Sequence, residues 1–164
     1  MAELTAQERL QPSLLDRLTD AEPQKQRESR RQRVFSAGRL RQVVMRDLAW
    51  LMNCTNLSAT EELDDFPHVE RSVVNYGIPD LTGRTVSSLD SGEISRVLRK
   101  AIADFEPRIL PDSLVVRVFT DESHMNANAL TFEIEGELWA QPIPERLYFK
   151  TEVDLESGNV AIRD

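Results

Sequence analysis

The sequence predicts an α+β fold: a small antiparallel sheet of three to four strands, covered on one face by two long helices, with a short helical N-terminal arm. Three observations carry that expectation. Apolar residues recur at helical spacing from Arg39 to Asn53, and again from about Asp90 or Ser91 to Phe105. After Pro107 the period switches from helical to two and keeps that spacing almost to the end of the chain. Helical patterns therefore come first and strand patterns last, which is α+β rather than alternating βαβ.

The first 38 residues differ from the rest. Ser13-Leu14-Leu15-Asp16-Arg17-Leu18 follows Pro12 and suits one or two helical turns, with Ser13 as N-cap and Asp16 in the first turn. Glu22-Pro23 comes next. Gln24 to Arg33 then holds five basic residues, one Glu and no large apolar side chain, which is linker composition. The chain thus divides into an arm and polar linker (1–38) and a folded domain (39–164). Leu14, Leu15 and Leu18 either dock on a partner or fold back on this chain's own core.

In the first long helix Leu40, Val43, Val44, Leu48 and Leu51 share a face, with Arg39, Arg41, Arg46 and Asp47 off it. Cys54-Thr55-Asn56 ends it, and Cys54 is expected to be a buried small apolar residue. An acidic loop follows, with Glu61, Glu62, Asp64, Asp65 and Glu70, interrupted by Pro67-His68. From Ser72 to Gly83 a short turn leads into a packed structural loop. Asn75, Tyr76, Gly77, Pro79 and Asp80 shape it, and the apolar Ile78 and Leu81 anchor it. Gly77 permits a positive φ. Asn75, Asp80 and Thr82 can satisfy the backbone of a packed loop.

The second helix carries Ile94, Val97, Leu98, Ala101, Ile102 and Phe105 on one face. Strand patterns then place Leu114, Val116 and Val118 together, and after a turn over Asp121–Asn128, Leu130, Phe132, Ile134 and Leu138. Gly136 interrupts that row and suggests a bulge. Pro142 and Pro144 end the strand. Leu147, Phe149, Thr151, Val153 and Leu155 form the next row, and Ser157-Gly158-Asn159 turns into a short last strand with Val160 and Ile162. The opposite face carries Glu133, Glu135, Glu137, Lys150 and Glu152 and should be wet. A terminal edge strand invites a strand from another chain. A proline at Val160 or Ala161 is expected to block such an addition.

Between the second helix and the strands lies Phe105-Glu106-Pro107-Arg108. Proline fixes φ and disfavours helical geometry at Glu106, so Glu106 and Arg108 sit on a stiff corner. Two readings fit: a helix stop with two solvated charges, or a docking point. On the second reading, reversing the charge at Arg108 should abolish docking and leave the fold intact.

Composition narrows the function. The net charge of −8 argues against nucleic acid as a partner. A single cysteine excludes an internal disulfide and suits a reducing compartment. No segment approaches the roughly 20 apolar residues of a membrane span, and the charged N-terminus is no secretory signal, so a cytoplasmic protein without membrane insertion is expected. His68 and His124 stand alone, so no metal site is expected, and with no phosphate-cradling glycine loop no cofactor is.

Taken together, several segments resemble a known family. These are Arg46-Asp47-Leu48 with Leu51-Met52-Asn53, Ser72-Val73-Val74-Asn75-Tyr76-Gly77, Pro79-Asp80-Leu81-Thr82-Gly83, the Phe105–Arg108 corner, and Phe132-Glu133-Ile134-Glu135-Gly136. In order and spacing they are similar to the TssE family, the baseplate wedge subunits of type VI secretion systems. That family is itself similar to a contractile-phage baseplate wedge protein labelled lysozyme-like. Pro12 to Leu18 with Glu22-Pro23 resembles the opening of the TssE form. The resemblance implies a structural, non-enzymatic component of a cytoplasmic, membrane-docked baseplate. Its implied partners are TssF, TssG and TssK, the spike or the inner-tube base, and the sheath subunits TssB and TssC, whose assembly it would start by strand exchange. The family's Glu-Pro-Arg motif falls on Glu106, Pro107 and Arg108 and implies baseplate contacts there.

The label raises glycoside hydrolysis as the alternative. That chemistry needs two carboxylates about 5–9.5 Å apart across a cleft, one of them protonated by an apolar pocket. A guanidinium two residues from Glu106 favours a carboxyl's anionic form, the wrong direction for a general acid. The acidic loop is polar and offers little to desolvate Glu61, Glu62, Asp64 and Asp65.

Overall fold

The computed structural model describes residues 13–19, 24, 37–83, 90–120, 129–139 and 144–163. The expected linker with Glu22-Pro23 and Lys25–Arg33, the turn over Asp121–Asn128 with His124, and Pro142 lie outside those residues.

Helix α1 spans Leu14–Leu18, α2 Ala37–Met52, α3 Pro67–Glu70 and α4 Ser91–Phe105. Strands β1 (Val115–Thr120), β2 (Ala129–Leu138), β3 (Glu145–Asp154) and β4 (Val160–Arg163) follow. The protein is thus α+β, with an antiparallel sheet in the order β1-β2-β3-β4.

Helix α4 begins where Asp90 caps it, accepting from the N–H of Gly92 (2.8 Å) and Glu93 (3.4 Å). The alternation along β3 is realised residue by residue: Leu147, Phe149, Thr151 and Val153 are buried, while Tyr148 and Lys150 are exposed. Leu147, Phe149 and Val153 join Leu130, Phe132, Ile134 and Leu138 of β2, Leu40, Val44, Leu48 and Leu51 of α2, and Ile94, Leu98 and Ile102 of α4 in one hydrophobic core. On the opposite sheet face Lys150 pairs with Glu133 (2.7 Å) and Arg117 with Glu135 (2.6 Å).

Four expectations change. Gly136 is not a bulge: it pairs in register with Leu147, and β2 runs through it unbroken. Its missing side chain makes room instead, because a Cβ there would lie 2.9 Å from Ile109 Cγ2. Pro67-His68 does not merely interrupt the acidic loop. It starts α3, with Pro67 in the first helical turn, where its missing N–H costs nothing. Cys54 is exposed, and it is its backbone that takes part in the structure, through hydrogen bonds. The Cys54 carbonyl accepts from Ile78 N–H (2.9 Å) while Asn56 N–H donates to the Ile78 carbonyl (3.0 Å), forming a parallel bridge between Thr55 and Ile78. Finally, α2 begins at Ala37, two residues inside the segment assigned to the arm.

Gly77 allows this bridge. Its φ is +128°, and a Cβ would sit 2.3 Å from the Cys54 carbonyl oxygen. Asn75 locks the loop from the other side. It is buried, accepts from Ser58 N–H (2.9 Å) and Oγ (2.7 Å), and donates to the Glu70 carbonyl (2.9 Å). Asp80 closes a local turn by accepting from Thr82 N–H at 2.8 Å. Ile78 and Leu81 enter the core.

Candidate functional site

The corner is built by the end of α4. Glu106 is its C-cap, donating its N–H to the Ile102 carbonyl, and its own carbonyl accepts from Ile109 N–H at 3.1 Å. Glu106-Pro107-Arg108-Ile109 is therefore a hydrogen-bonded turn with proline in its second position, where a fixed φ is favourable. The turn is tied to the end of β2: Trp139 N–H donates to the Arg108 carbonyl (2.7 Å) and Leu110 N–H to the Glu137 carbonyl (2.8 Å).

The two charges are neither solvated nor freely offered. Glu106 is 3% exposed. Arg108 Nε donates to Glu106 Oε1 at 2.6 Å, and Nη2 donates to both Glu106 Oε2 and Asp47 Oδ2. Arg46 Nε bonds Asp47 Oδ1 at 2.9 Å, and its Nη1 reaches Asp16 Oδ1 at 2.7 Å. A chain of alternating charge thus runs Asp16–Arg46–Asp47–Arg108–Glu106 from α1 through α2 to the corner. Burial works against the Arg108 charge, but Glu106 and then Asp47 outweigh it and push its pKa up. The expectation that charge reversal at Arg108 spares the fold is accordingly corrected. It would leave the buried Glu106 facing two further carboxylates.

Tyr76 packs edge-on to Phe105, centroids 5.3 Å apart, and donates to the Asp47 carbonyl at 3.4 Å. Its phenol pKa is raised by burial, with Cys54, Asp47 and Glu106 adding to the shift. A cleft of about 290 Å³ lies between α1, α2 and the corner, lined among others by Leu15, Trp50, Tyr76, Phe105 and Pro107. Helix α1 forms its rim. Ser13 accepts from Asp16 N–H and Arg46 stacks on the Trp50 ring at 4.8 Å. Leu14 and Leu18 are 70% and 74% exposed, and Leu15 is 46% exposed. None of the three is buried in the core.

Val160 and Ile162 lie on β4, which is an edge of the sheet. The backbone there is not as the sequence suggested. Val160 N–H donates to Asn53 Oδ1 (3.0 Å) and its carbonyl accepts from Asn53 Nδ2 (3.1 Å). Both groups point away from β3. In an antiparallel ladder these directions alternate. Ala161, opposite Glu152, therefore turns its N–H and C=O toward β3, and Ile162, opposite Thr151, turns them outward. A proline at Ala161 would break the internal ladder, and one at Val160 would remove a donor already held by Asn53. The side chain of Ile162 lies outside the described residues.

Among the described residues no three His, Cys, Asp or Glu side chains are placed to hold a metal ion, and no helix is long and apolar enough to cross a membrane. Sequence reading missed Asp47, Arg46 and Asn53 as members of these sites. Asp47 and Arg46 lie within a family-like segment, but pairing across α2 and α4 leaves no local signal.

A family model described as baseplate wedge protein gp25 matches residues 38–143, more than half of the chain. The chain belongs to the baseplate wedge protein gp25 family. The match runs from α2 to the end of β2 and beyond, so it takes in the corner and the Asp47–Arg108 contact. No curated protein and no solved structure matches the chain. Membership in the gp25 family makes the protein a baseplate structural component that interacts with other baseplate components.

Proposed function

We propose that this gp25-family protein is the TssE-type wedge subunit of a type VI secretion baseplate. It docks on TssF and TssG through the Glu106–Pro107–Arg108 corner, with TssK and the spike or inner-tube base nearby, and acts in the cytoplasm at a membrane-docked baseplate. Helix α1 adds a contact through the exposed Leu14 and Leu18. The β4 edge starts assembly of TssB and TssC by accepting a strand at the outward backbone groups of Ile162, which Asn53 does not occupy. The observation that carries this reading is the gp25 family match over residues 38–143. The corner supports it: a turn fixed by Pro107 and tied to β2 holds its charges in one geometry, and such a surface loses little entropy on docking.

The protein works without catalysis. Both Glu106 oxygens already accept from Arg108, which leaves Glu106 poorly placed to protonate a sugar leaving group.

The test is coexpression of the full chain with TssF and TssG. Wild-type protein should copurify with both, and Leu14→Asp combined with Leu18→Asp should weaken the complex while leaving thermal stability unchanged. A chain that elutes alone from coexpressed partners would overturn the assignment.

A further inference from the structure

We propose that Asn53 guards the β4 edge against pairing with a second copy of this chain. This goes beyond the baseplate reading and needs no other component. Edge strands expose a row of backbone donors and acceptors, and proteins that leave one uncovered risk pairing edge to edge. Here the carboxamide of Asn53 acts as a strand of one residue. Its Oδ1 accepts from the Val160 N–H and its Nδ2 donates to the Val160 carbonyl, at 3.0 and 3.1 Å. The second Nδ2 proton goes to the Ala49 carbonyl at 2.7 Å, so the amide is oriented by α2 before β4 meets it.

The geometry points to the occupant that is kept out. Val160 and Ile162 are the β4 residues whose backbone groups turn outward, with Ala161 between them. Two copies related by a two-fold axis through Ala161 would set Val160 of each opposite Ile162 of the other. Each such pair exchanges both of its hydrogen bonds, so every bond in that interface requires Val160. Asn53 occupies both Val160 groups and removes the whole set. The same device recurs elsewhere on the sheet. Arg41 of α2 donates to the Tyr148 carbonyl (3.1 Å), in the part of β3 that β4 does not cover. On the far edge, Ser95 and Arg99 of α4 donate to the carbonyls of Val116 (2.5 Å) and Leu114 (3.1 Å).

The experiment measures Val160 amide exchange by NMR and sedimentation velocity over a concentration series on the full chain. In Asn53→Ala, Val160 exchange should accelerate roughly tenfold, as expected for losing one or two hydrogen bonds. The sedimentation coefficient should rise with concentration where wild type stays constant. Adding Ile162→Pro should cancel the rise and leave the faster exchange. Unchanged Val160 exchange in Asn53→Ala, or faster exchange with concentration-independent sedimentation, would overturn the proposal. Should Asn53→Ala fail to fold, Asn53→Asp keeps the acceptor for Val160 N–H and loses both donors. It should then show a smaller rise in association, and its absence would count equally against the guard. Neither readout involves a baseplate partner, so these results stand apart from copurification with TssF and TssG.

Discussion

Asp47 on α2 and Arg108 on the turn after α4 lie 61 residues apart in the chain and 2.6 Å apart in space. That contact closes the corner onto α2. It makes Arg108 the shared counter-charge of two acids, of which Glu106 is buried.

Arg108→Ala should therefore destabilise the fold, because it strands the Glu106 carboxylate. Breaking a buried pair costs about 3–5 kcal/mol. Arg108 retains some exposure, with a side chain 25% exposed, which favours the lower end of that range, about 3 kcal/mol. Chemical denaturation of wild type, Arg108→Ala, Glu106→Gln and the double variant checks it. The double variant should recover part of the loss, since no unpaired anion is left. Equal stability of Arg108→Ala and wild type would show that the corner charges do not hold the fold.

Gly77→Ala should cost more than Gly83→Ala, although both glycines have positive φ. At Gly83 (φ +71°) a Cβ meets nothing within 4 Å, and the loss is the conformational one, about 1–2 kcal/mol. At Gly77 the Cβ would collide with the Cys54 and Asn56 backbone at 2.3–2.9 Å, which forces the Thr55–Ile78 bridge apart. Urea midpoints of the two variants compare them directly. A Gly77→Ala midpoint at or above that of Gly83→Ala would contradict the bridge as a rigid feature.

The sequence carried the regular parts of this fold well. Helices α2 and α4 and strands β2 and β3 bury most of the residues their periodicities marked, because one apolar face per element is a local property. What it could not carry is pairing between elements. Asn53 reads only as a residue at a helix end, yet its function is set by where β4 lies. Gly136 reads as an interruption until Ile109 is placed over it. Glu106 and Arg108 stood out as a pair, while the partner that fixes them, Asp47, sits on a different helix.

Helix α1 should detach in acid. The hydrogen bond from Arg46 holds the Asp16 pKa below its ordinary 3.8 against the opposing cost of burial, with the Ser13 hydrogen bond and the Arg46 and Arg108 charges adding smaller pulls. A depressed carboxyl pKa means the docking contribution is complete above the ordinary value and fades as pH falls through the docked one. Since Arg46 is 34% exposed, the contribution is no more than about 1 kcal/mol. Amide exchange over α1 should be faster in Asp16→Asn at neutral pH, and wild type should approach it only in strong acid. Identical α1 exchange in the two proteins at neutral pH would remove the Asp16–Arg46 pair as the tether.

Purified protein should not turn over peptidoglycan. Glu106 is committed to Arg108, and the acidic loop from Glu61 to Asp65 is exposed apart from a half-buried Leu63. Release of reducing ends from purified sacculi is the assay, with Glu106→Gln as control. Turnover that vanishes in Glu106→Gln would restore the glycosidase reading.

Prolines along β4 separate strand addition from simple stability. Ala161 turns its N–H toward β3, so Ala161→Pro removes an internal ladder bond and should lower the melting temperature. Ile162 turns its N–H outward, so Ile162→Pro leaves the β3 ladder whole and removes only a donor that an incoming strand would use. On the proposed function, Ile162→Pro should fold, join baseplates and start few sheaths, whereas Ile162→Ala should start them normally, because main-chain bonds rather than that side chain carry the addition. The measurement is the frequency of sheath formation by fluorescence microscopy in cells with assembled baseplates, beside the melting temperature of each purified variant. If Ile162→Pro starts sheaths as often as wild type, the incoming strand does not use this edge.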